Sequence, residues 1–418
     1  MAVRERPGAT LRRALRRTVG GGGAVVNVTR DIDGVRPGRV EAPASVADVV
    51  AVLRGDSQVV TGGVAPVGSG TSLGVGAPPR SLDVLLELAG LNRILAHSPD
   101  DLVVTAEAGV RLCDLQEVLG RHRQRLALDP AHAHGTLGGI VATSGSGPLR
   151  LRFGTPRDLL IGVTVVLAHG TLARVGGRVV KNVAGYDLMK LFCGSYGTLG
   201  VVVETTWRLH PLPSGRRFLT VPLGASGQAQ DAIRRLVEAR LTPSAGEIDL
   251  PDAAGPGVLA VLFEGSAGVA EQTAAAQALI GGTVGDAVPA WWGGQLAGPT
   301  RLRLAAATGA LTRLLGSLAR CSTPGRRLAV RGSAGAAVIE VGPEAAWPAR
   351  EVAALVQQLR DEFAADDGSV VVMHGAPELK RLVDVWGYRG DALALMRRVK
   401  AEFDPAHRLN PGRFAGGI

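Results

Sequence analysis

The segment Pro66-Val67-Gly68-Ser69-Gly70-Thr71-Ser72-Leu73-Gly74 sets the tightest limit on what this chain can fold into. Glycine and small hydroxyl residues at this density sustain no regular element, so the apolar run before them must end in a loop of exposed backbone. Successive amides freed in this way form a nest for an anion. The chain holds 58 glycines in 418 residues, about twice ordinary usage, so glycine motifs arise often by chance and each needs support from its neighbours. A dinucleotide-binding GxGxxG requires glycine where Leu73 stands. A Walker loop requires a Gly-Lys pair, which the chain lacks. Gly70-Thr71-Ser72-Leu73-Gly74 satisfies the GxSxG nucleophile pattern, but that elbow leads into a helix and Val75-Gly76-Ala77-Pro78-Pro79 starts one poorly. A serine hydrolase is the weakest reading.

A mass of 43.0 kDa implies two or three domains. Hydrophobic residues at 46% and charged residues at 20% exclude a disordered or coiled-coil chain. Six of the nine net positive charges fall in residues 1–40, so the body is close to neutral. With aromatics at 4% it offers no base-stacking platform, and no nucleic-acid partner is expected. After Thr10, Leu11, Ala14, Leu15 and Thr18 share one helical face and Arg12, Arg13, Arg16 and Arg17 the other. This reads either as a hook for a membrane surface or partner, or as a solvated tail. Cys113, Cys193 and Cys321 form no disulfide framework, zinc spacing or iron–sulfur spacing, and no apolar run reaches membrane length. A cytoplasmic protein is expected, with peripheral contact at the inner face of the membrane as the alternative that the arginine helix raises.

The pattern divides the chain into a basic tail (1–39), a strand-rich part (40–213), a part of longer periodic segments (214–395) and a C-terminal segment (396–418). In the second part, Ser45 caps a helix through Leu53. Strands are expected at 57–61, 82–88, 101–107, 161–168 and 198–209, and a helix at 111–120. Helices at 226–240, 267–280, 346–364 and 390–402 alternate beyond Pro213 with apolar runs at 217–222, 257–264, 327–341 and 369–373. No fixed-period repeat is visible.

Two further segments share the small, polar texture. Asp129-Pro130-Ala131-His132-Ala133-His134-Gly135-Thr136-Leu137-Gly138-Gly139 runs on to Ser144, and suits backbone contact with a flat polar ligand. His132 and His134 lack a third metal ligand at a convincing spacing and read as loop histidines. Lys181-Asn182-Val183-Ala184-Gly185-Tyr186-Asp187, followed by Gly194-Ser195-Tyr196-Gly197-Thr198-Leu199-Gly200, mixes charged and small residues. A buried Lys181–Asp187 pair and a ligand role are both open there.

Taken in order, PxGSGTS, TLGGxVA, GxxRD (Gly154 to Asp158), KNVAGYD and GSYGTLG resemble the FAD-binding half of the vanillyl-alcohol-oxidase, or PCMH-type, flavoproteins. Within that group they are most similar to the glycolate oxidase FAD-binding subunit type and to 2-hydroxy-acid dehydrogenases. The likeness spans about 40–213 and returns in Phe403-Asp404-Pro405-Ala406-His407-Arg408-Leu409-Asn410-Pro411-Gly412-Arg413; Trp291-Trp292 and Leu302-Arg303-Leu304 add a weaker match. It implies an α+β fold, a PCMH-type FAD-binding domain of two α+β subdomains followed by a smaller α/β ferredoxin-like cap domain. Gly68, Ser69, Gly70, Thr71 and Ser72 would wrap the pyrophosphate, with Pro130, Thr136, Gly138, Gly139 and Ser144 lining the cofactor and Val203 as a last clamp. The first glycine loop has no histidine or cysteine, so FAD is expected to be non-covalent.

The resemblance further implies oxidation of a small 2-hydroxy acid such as glycolate or lactate. It implies a complex with a catalytic flavoprotein subunit and an iron–sulfur subunit, since this chain has no cysteine cluster of its own. Its alternative is a flavin-carrying structural or electron-transfer subunit that never meets substrate. Members acting directly on such acids carry HxGDxNxH; here only Val372-Met373-His374-Gly375-Ala376-Pro377 stands. His374 is a remnant base or a strand-end histidine, and no metal is expected.

Overall fold

A computed structural model describes residues 31–56, 60, 62–177, 187–225, 227–364 and 368–418. The arginine helix, Lys181, Asn182, Tyr186 and most of the strand expected at 57–61 fall outside these residues.

The first third builds two sheets. Strands β1 (Arg39–Glu41), β2 (Val64–Val67) and β3 (Val84–Glu87) form a parallel sheet in the order β1-β3-β2. Helix α1 (Val46–Arg54) buries Val49 and Leu53 against it. Ser45 caps that helix, its Oγ accepting the Asp48 amide at 3.2 Å, which is the cap the sequence called for. The second sheet is antiparallel, in the order β4-β5-β9-β7-β8. Its strands are β4 (Ile94–Ser98), β5 (Val103–Glu107), β7 (Leu160–Val166), β8 (Leu172–Gly176) and β9 (Val201–Arg208), with a short β6 (Gln124–Arg125) paired to β10 (His210–Pro211). Helices α2 (Leu112–Gly120) and α3 (Leu137–Thr143) bury Leu115, Leu119, Leu137 and Val141 against this sheet. Three single-turn helices follow: α4 (Arg150–Phe153), α5 (Pro156–Leu159) and α6 (Met189–Phe192).

Beyond Pro213 the chain forms one eight-stranded antiparallel sheet, in the order β14-β11-β13-β12-β16-β17-β15-β18. Its first half runs β11 (Gly215–Leu223), α7 (Gln228–Glu238), β12 (Ala245–Leu250), β13 (Gly257–Gly265), α8 (Val269–Ile280) and β14 (Thr283–Gly285). The second runs β15 (Arg301–Ala305), α9 (Leu311–Cys321), β16 (Leu328–Ser333), β17 (Val338–Pro343), α10 (Ala349–Glu362) and β18 (Ser369–His374). Each half is a ferredoxin-like βαββαβ unit, and the two join edge to edge through β12 and β16. The expected ferredoxin-like cap is present in two copies, and its repeat lies in topology, not in residues. The apolar run 327–341 proves to be a hairpin of two strands.

Strand alternation decides what each sheet face carries. In β15, Leu302 and Leu304 are fully buried in the helix-covered core, so Arg301 and Arg303 point to the opposite face. Helices α11 (Pro377–Leu382) and α12 (Leu393–Phe403) lead the chain back to the first sheets. There Val64 donates to Arg408 O at 2.7 Å and Asn410 donates to Val64 O at 2.9 Å, stitching the C-terminal segment beside β2.

Candidate functional site

The uncapped face of the large sheet meets the glycine-rich segments across a cleft with about 1450 Å³ of empty space. Gly68 to Ser72 form one wall, immediately after β2. Gly70 sits at φ +76°, a conformation glycine adopts without strain. The carbonyls of Gly70 and Ser72 accept the amides of Leu73 and Val75. The carbonyls of Leu73, Val75 and Ala77 accept from the buried Arg413 guanidinium. The amides of Ser69, Gly70, Thr71 and Ser72 have no hydrogen-bond partner among the described residues. A loop that presents successive amides with no hydrogen-bond partner is built to take an anion. Burial pulls Arg413 down to about 10, so it keeps its charge at neutral pH.

Pro130, Thr136, Gly138 and Gly139 line the next wall. Thr136 is the N-cap of α3, its Oγ1 accepting the Gly139 amide at 3.3 Å. A methyl group at Gly68 would overlap that same Oγ1, and one at Gly138 would stand 2.7 Å from Ala108 Cβ. Both glycines are therefore required by close approach. Tyr196, Gly197, Gly200 and Val202 close the floor, with Asn410 Nδ2 donating to Tyr196 O at 2.7 Å.

The large sheet supplies Gln295, Arg301, Arg303, Glu340 and Met373. Arg303 lies 3.5 Å and Arg301 4.0 Å from the Glu340 carboxylate, so two cations share one anion and the face stays positive. His132 lines the same cleft as Gln295. Burial, then the nearby Arg301, holds its pKa below the usual histidine value, which favours the neutral ring.

Of the residues expected at the cofactor, Gly68, Ser69, Gly70, Thr71, Ser72, Pro130, Thr136, Gly138 and Gly139 do line this cleft. Ser144 does not: it takes the left-handed conformation that ends α3, while Thr143, Gly145 and Ser146 face the space. Val203 does not either. It is fully buried and its carbonyl accepts the Ala108 amide, while Gly200 and Val202 line the floor. His374 is exposed, pairs in register with Arg301, and lies outside the cleft lining. His134 is exposed, with Nδ1 at 3.4 Å from Cys113 Sγ. No helix follows Gly74, so Ser72 is not on a nucleophile elbow. Asp187 lies 3.9 Å from Lys190. The described residues contain no group of three histidine, cysteine or acidic side chains poised for a metal, and no helix long and apolar enough to cross a membrane. Sequence reasoning passed over Arg301, Glu340 and Gln295 and read His132 as a loop histidine, whereas all four line the cleft. The alternation in Leu302-Arg303-Leu304 was the available signal for the arginines.

The residues present fit FAD: an amide cradle for the pyrophosphate, glycines that admit close approach, and a long cleft ending at a polar sheet face. Comparisons with known proteins agree. The family of FAD binding domains matches residues 37–176, and that of the C-terminal domains of FAD linked oxidases matches 336–414. The chain is 34% identical over 190 residues to glycolate oxidase subunit GlcD of Bacillus subtilis, covering 45% of this chain and 40% of that protein. It is 36% identical over 152 residues to glycolate oxidase subunit GlcE of Escherichia coli (36% of this chain, 42% of that one). A D-2-hydroxyglutarate dehydrogenase of Xanthomonas citri is 35% identical over 193 residues (44% and 40%). The chain thus spans about two-fifths of the length of each of these relatives. In fold it is similar to alkyldihydroxyacetonephosphate synthase, with a TM-score of 0.64 at 14% identity over 90% of this chain and 77% of that one. The glycine cradle, the cap sheet facing it and both family matches lead to one conclusion: the chain belongs to the PCMH-type FAD-linked oxidases.

Proposed function

We propose that this protein is an FAD-dependent oxidoreductase acting on the CH–OH group of a 2-hydroxy acid. We propose also that it works as the FAD-binding subunit of a multi-subunit complex, with 40–213 as the FAD-binding domain, 214–395 as the cap and 396–418 returning to the first. The observation that carries the reading is the pairing of Arg301 and Arg303 with an amide cradle in one cleft. FAD bound there supplies the hydride acceptor. The residues of this chain do the rest. Arg303 offers a planar fork for the substrate carboxylate. A ring nitrogen of His132, kept neutral, takes the hydroxyl proton as the hydride leaves. The buried walls keep water from the reacting carbon.

Arg303→Met tests this. FAD content should stay at the wild-type level while the substrate concentration for half-maximal flavin reduction rises by about 100-fold, the loss of one charge-assisted pair. An unchanged substrate dependence would remove Arg303 from the site. The second reading, a flavin carrier that never meets substrate, is favoured by Glu340, which already neutralises part of the arginine pair. It predicts a flavin that no 2-hydroxy acid reduces in the isolated chain or in the assembled complex.

A further inference from the structure

The cleft does not end at Arg303. A second cavity with about 540 Å³ of empty space opens behind it, and Ala131, Ser146, Gln295, Arg303 and Glu340 line both. Its far wall carries Arg150 from α4 and Glu247 from β12. Arg150 hydrogen-bonds to Ser146 Oγ, with Nε at 3.1 Å, and has no ion-pair partner among the described residues. The other arginines of the wall are engaged: Arg331 with Asp249 at 2.8 Å and Arg303 with Glu340. Glu247 is 5% exposed and its Oε1 has no hydrogen-bond partner. Burial raises Glu247 to about 8, and the neighbouring Asp129, whose oxygens accept the Leu149 amide, to about 7. Both carboxyls thus carry protons to near neutral pH, which leaves Glu340 as the carboxylate of the lining against Arg150, Arg303 and Arg331. A half-buried guanidinium with no salt-bridge contact among the described residues and a buried carboxyl oxygen with no hydrogen-bond partner are each costly unless something completes them.

We propose that this side cavity is a subsite for a second carboxylate, so that the substrate is a 2-hydroxy acid bearing a distal carboxylate group. The proposal rests on the 2-hydroxy-acid reading above and narrows it. The distal carboxylate pairs with Arg150 and accepts the Glu247 O–H, while the proximal carboxylate meets Arg301 and Arg303. A monocarboxylate leaves both wall groups unmet, which is the arrangement that gives an enzyme strong discrimination.

The test is calorimetry on the FAD-loaded full-length protein, with glutarate and pentanoate as probes that lack the oxidisable hydroxyl. Glutarate should bind at least tenfold more tightly than pentanoate. Arg150→Met should weaken glutarate at least tenfold and leave pentanoate within twofold, and Glu247→Leu should act the same way more weakly. Equal affinities for the two probes in the wild-type protein would overturn the proposal, whether or not either variant folds. So would an Arg150→Met protein with wild-type melting temperature that still prefers glutarate. Anaerobic reduction by 2-hydroxyglutarate against 2-hydroxypentanoate separates the two ideas. If neither reduces the flavin but glutarate retains its advantage, the oxidation reading fails and the subsite stands.

Discussion

Lys400 and Asp404 offer the sharpest test of how the cleft is held together. Both side chains are fully buried, with Nζ 2.6 Å from Asp404 Oδ2. The ammonium spends its other two protons on Thr198 O at 2.8 Å and Leu409 O at 3.0 Å, so all three donors are matched. Those carbonyls belong to the floor loop and the C-terminal segment, whose neighbours Gly197 and Asn410 line the cleft. Lys400→Met keeps the stem but strands the Asp404 charge and two buried carbonyls. Breaking one side of such a pair costs about 3–5 kcal/mol. At about 2 °C per kcal/mol for a cooperative unit the size of the FAD-binding part, the melting temperature of that unit should fall by roughly 6–10 °C. Asp404 would still accept the Arg408 and Leu409 amides, so the protein should fold. Differential scanning calorimetry of the FAD-free protein reads the shift, and Lys400→Met/Asp404→Leu should recover part of it by removing the stranded charge. A single variant melting within 2 °C of wild type would refute the reasoning.

Gly68→Ala should displace the Thr136 cap and crowd the loop, lowering FAD affinity at least tenfold in a fluorescence titration. Gly120→Ala, where nothing lies within 4 Å of the added carbon, is the neutral control. His132 must be neutral to accept a proton, so the reduction rate should rise with pH and level off below the ordinary histidine value of 6.5. His132→Ala should abolish that limb and slow reduction by about 10²–10⁴. Asp129 keeps its proton up to about 7 in the folded chain against 3.8 in the unfolded one. Its contribution is therefore complete at low pH and lost as pH rises through 7. Asp129→Asn should gain stability relative to wild type between pH 5 and 8 in denaturant melts; a difference that does not move with pH would contradict it. Acid precipitation should release all the FAD into the supernatant, whereas flavin retained in the pellet would mean a covalent link.

Local chemistry made much of this legible from residues alone. Ser45 announced a cap, and the strands around β5, β7 and β9 and the helices α7, α8 and α10 followed their apolar periods to within a few residues. Most of the strand expected at 57–61 lies outside the described residues, and the pairing with β3 that the structure describes runs over Val64–Val67. Helix α3 was not among the expected elements: Gly138 and Gly139 are poor helix formers, and Gly138 packs too closely on Ala108 to admit a side chain. The duplicated cap was hidden because its halves share strand order, not sequence. The site divided the same way. Backbone-driven contacts at 68–72 and 130–139 show in composition, since only small residues permit them. Arg301, Glu340 and His132 come to line one cleft because a sheet is laid across it, which no local pattern encodes. Ser144 and Val203 lie one residue from the cleft lining, a distance set by a helix end and a strand face.

The central claim is that one cleft holds FAD and delivers a 2-hydroxy acid to it. The most direct measurement is the absorbance spectrum of the FAD-loaded protein, taken anaerobically before and after adding D-lactate, glycolate or 2-hydroxyglutarate. The account predicts a flavin spectrum that bleaches with at least one of these acids and survives all of them in the His132→Ala/Arg303→Met protein. A protein that takes up no FAD, or a double variant that bleaches at the wild-type rate, would contradict it.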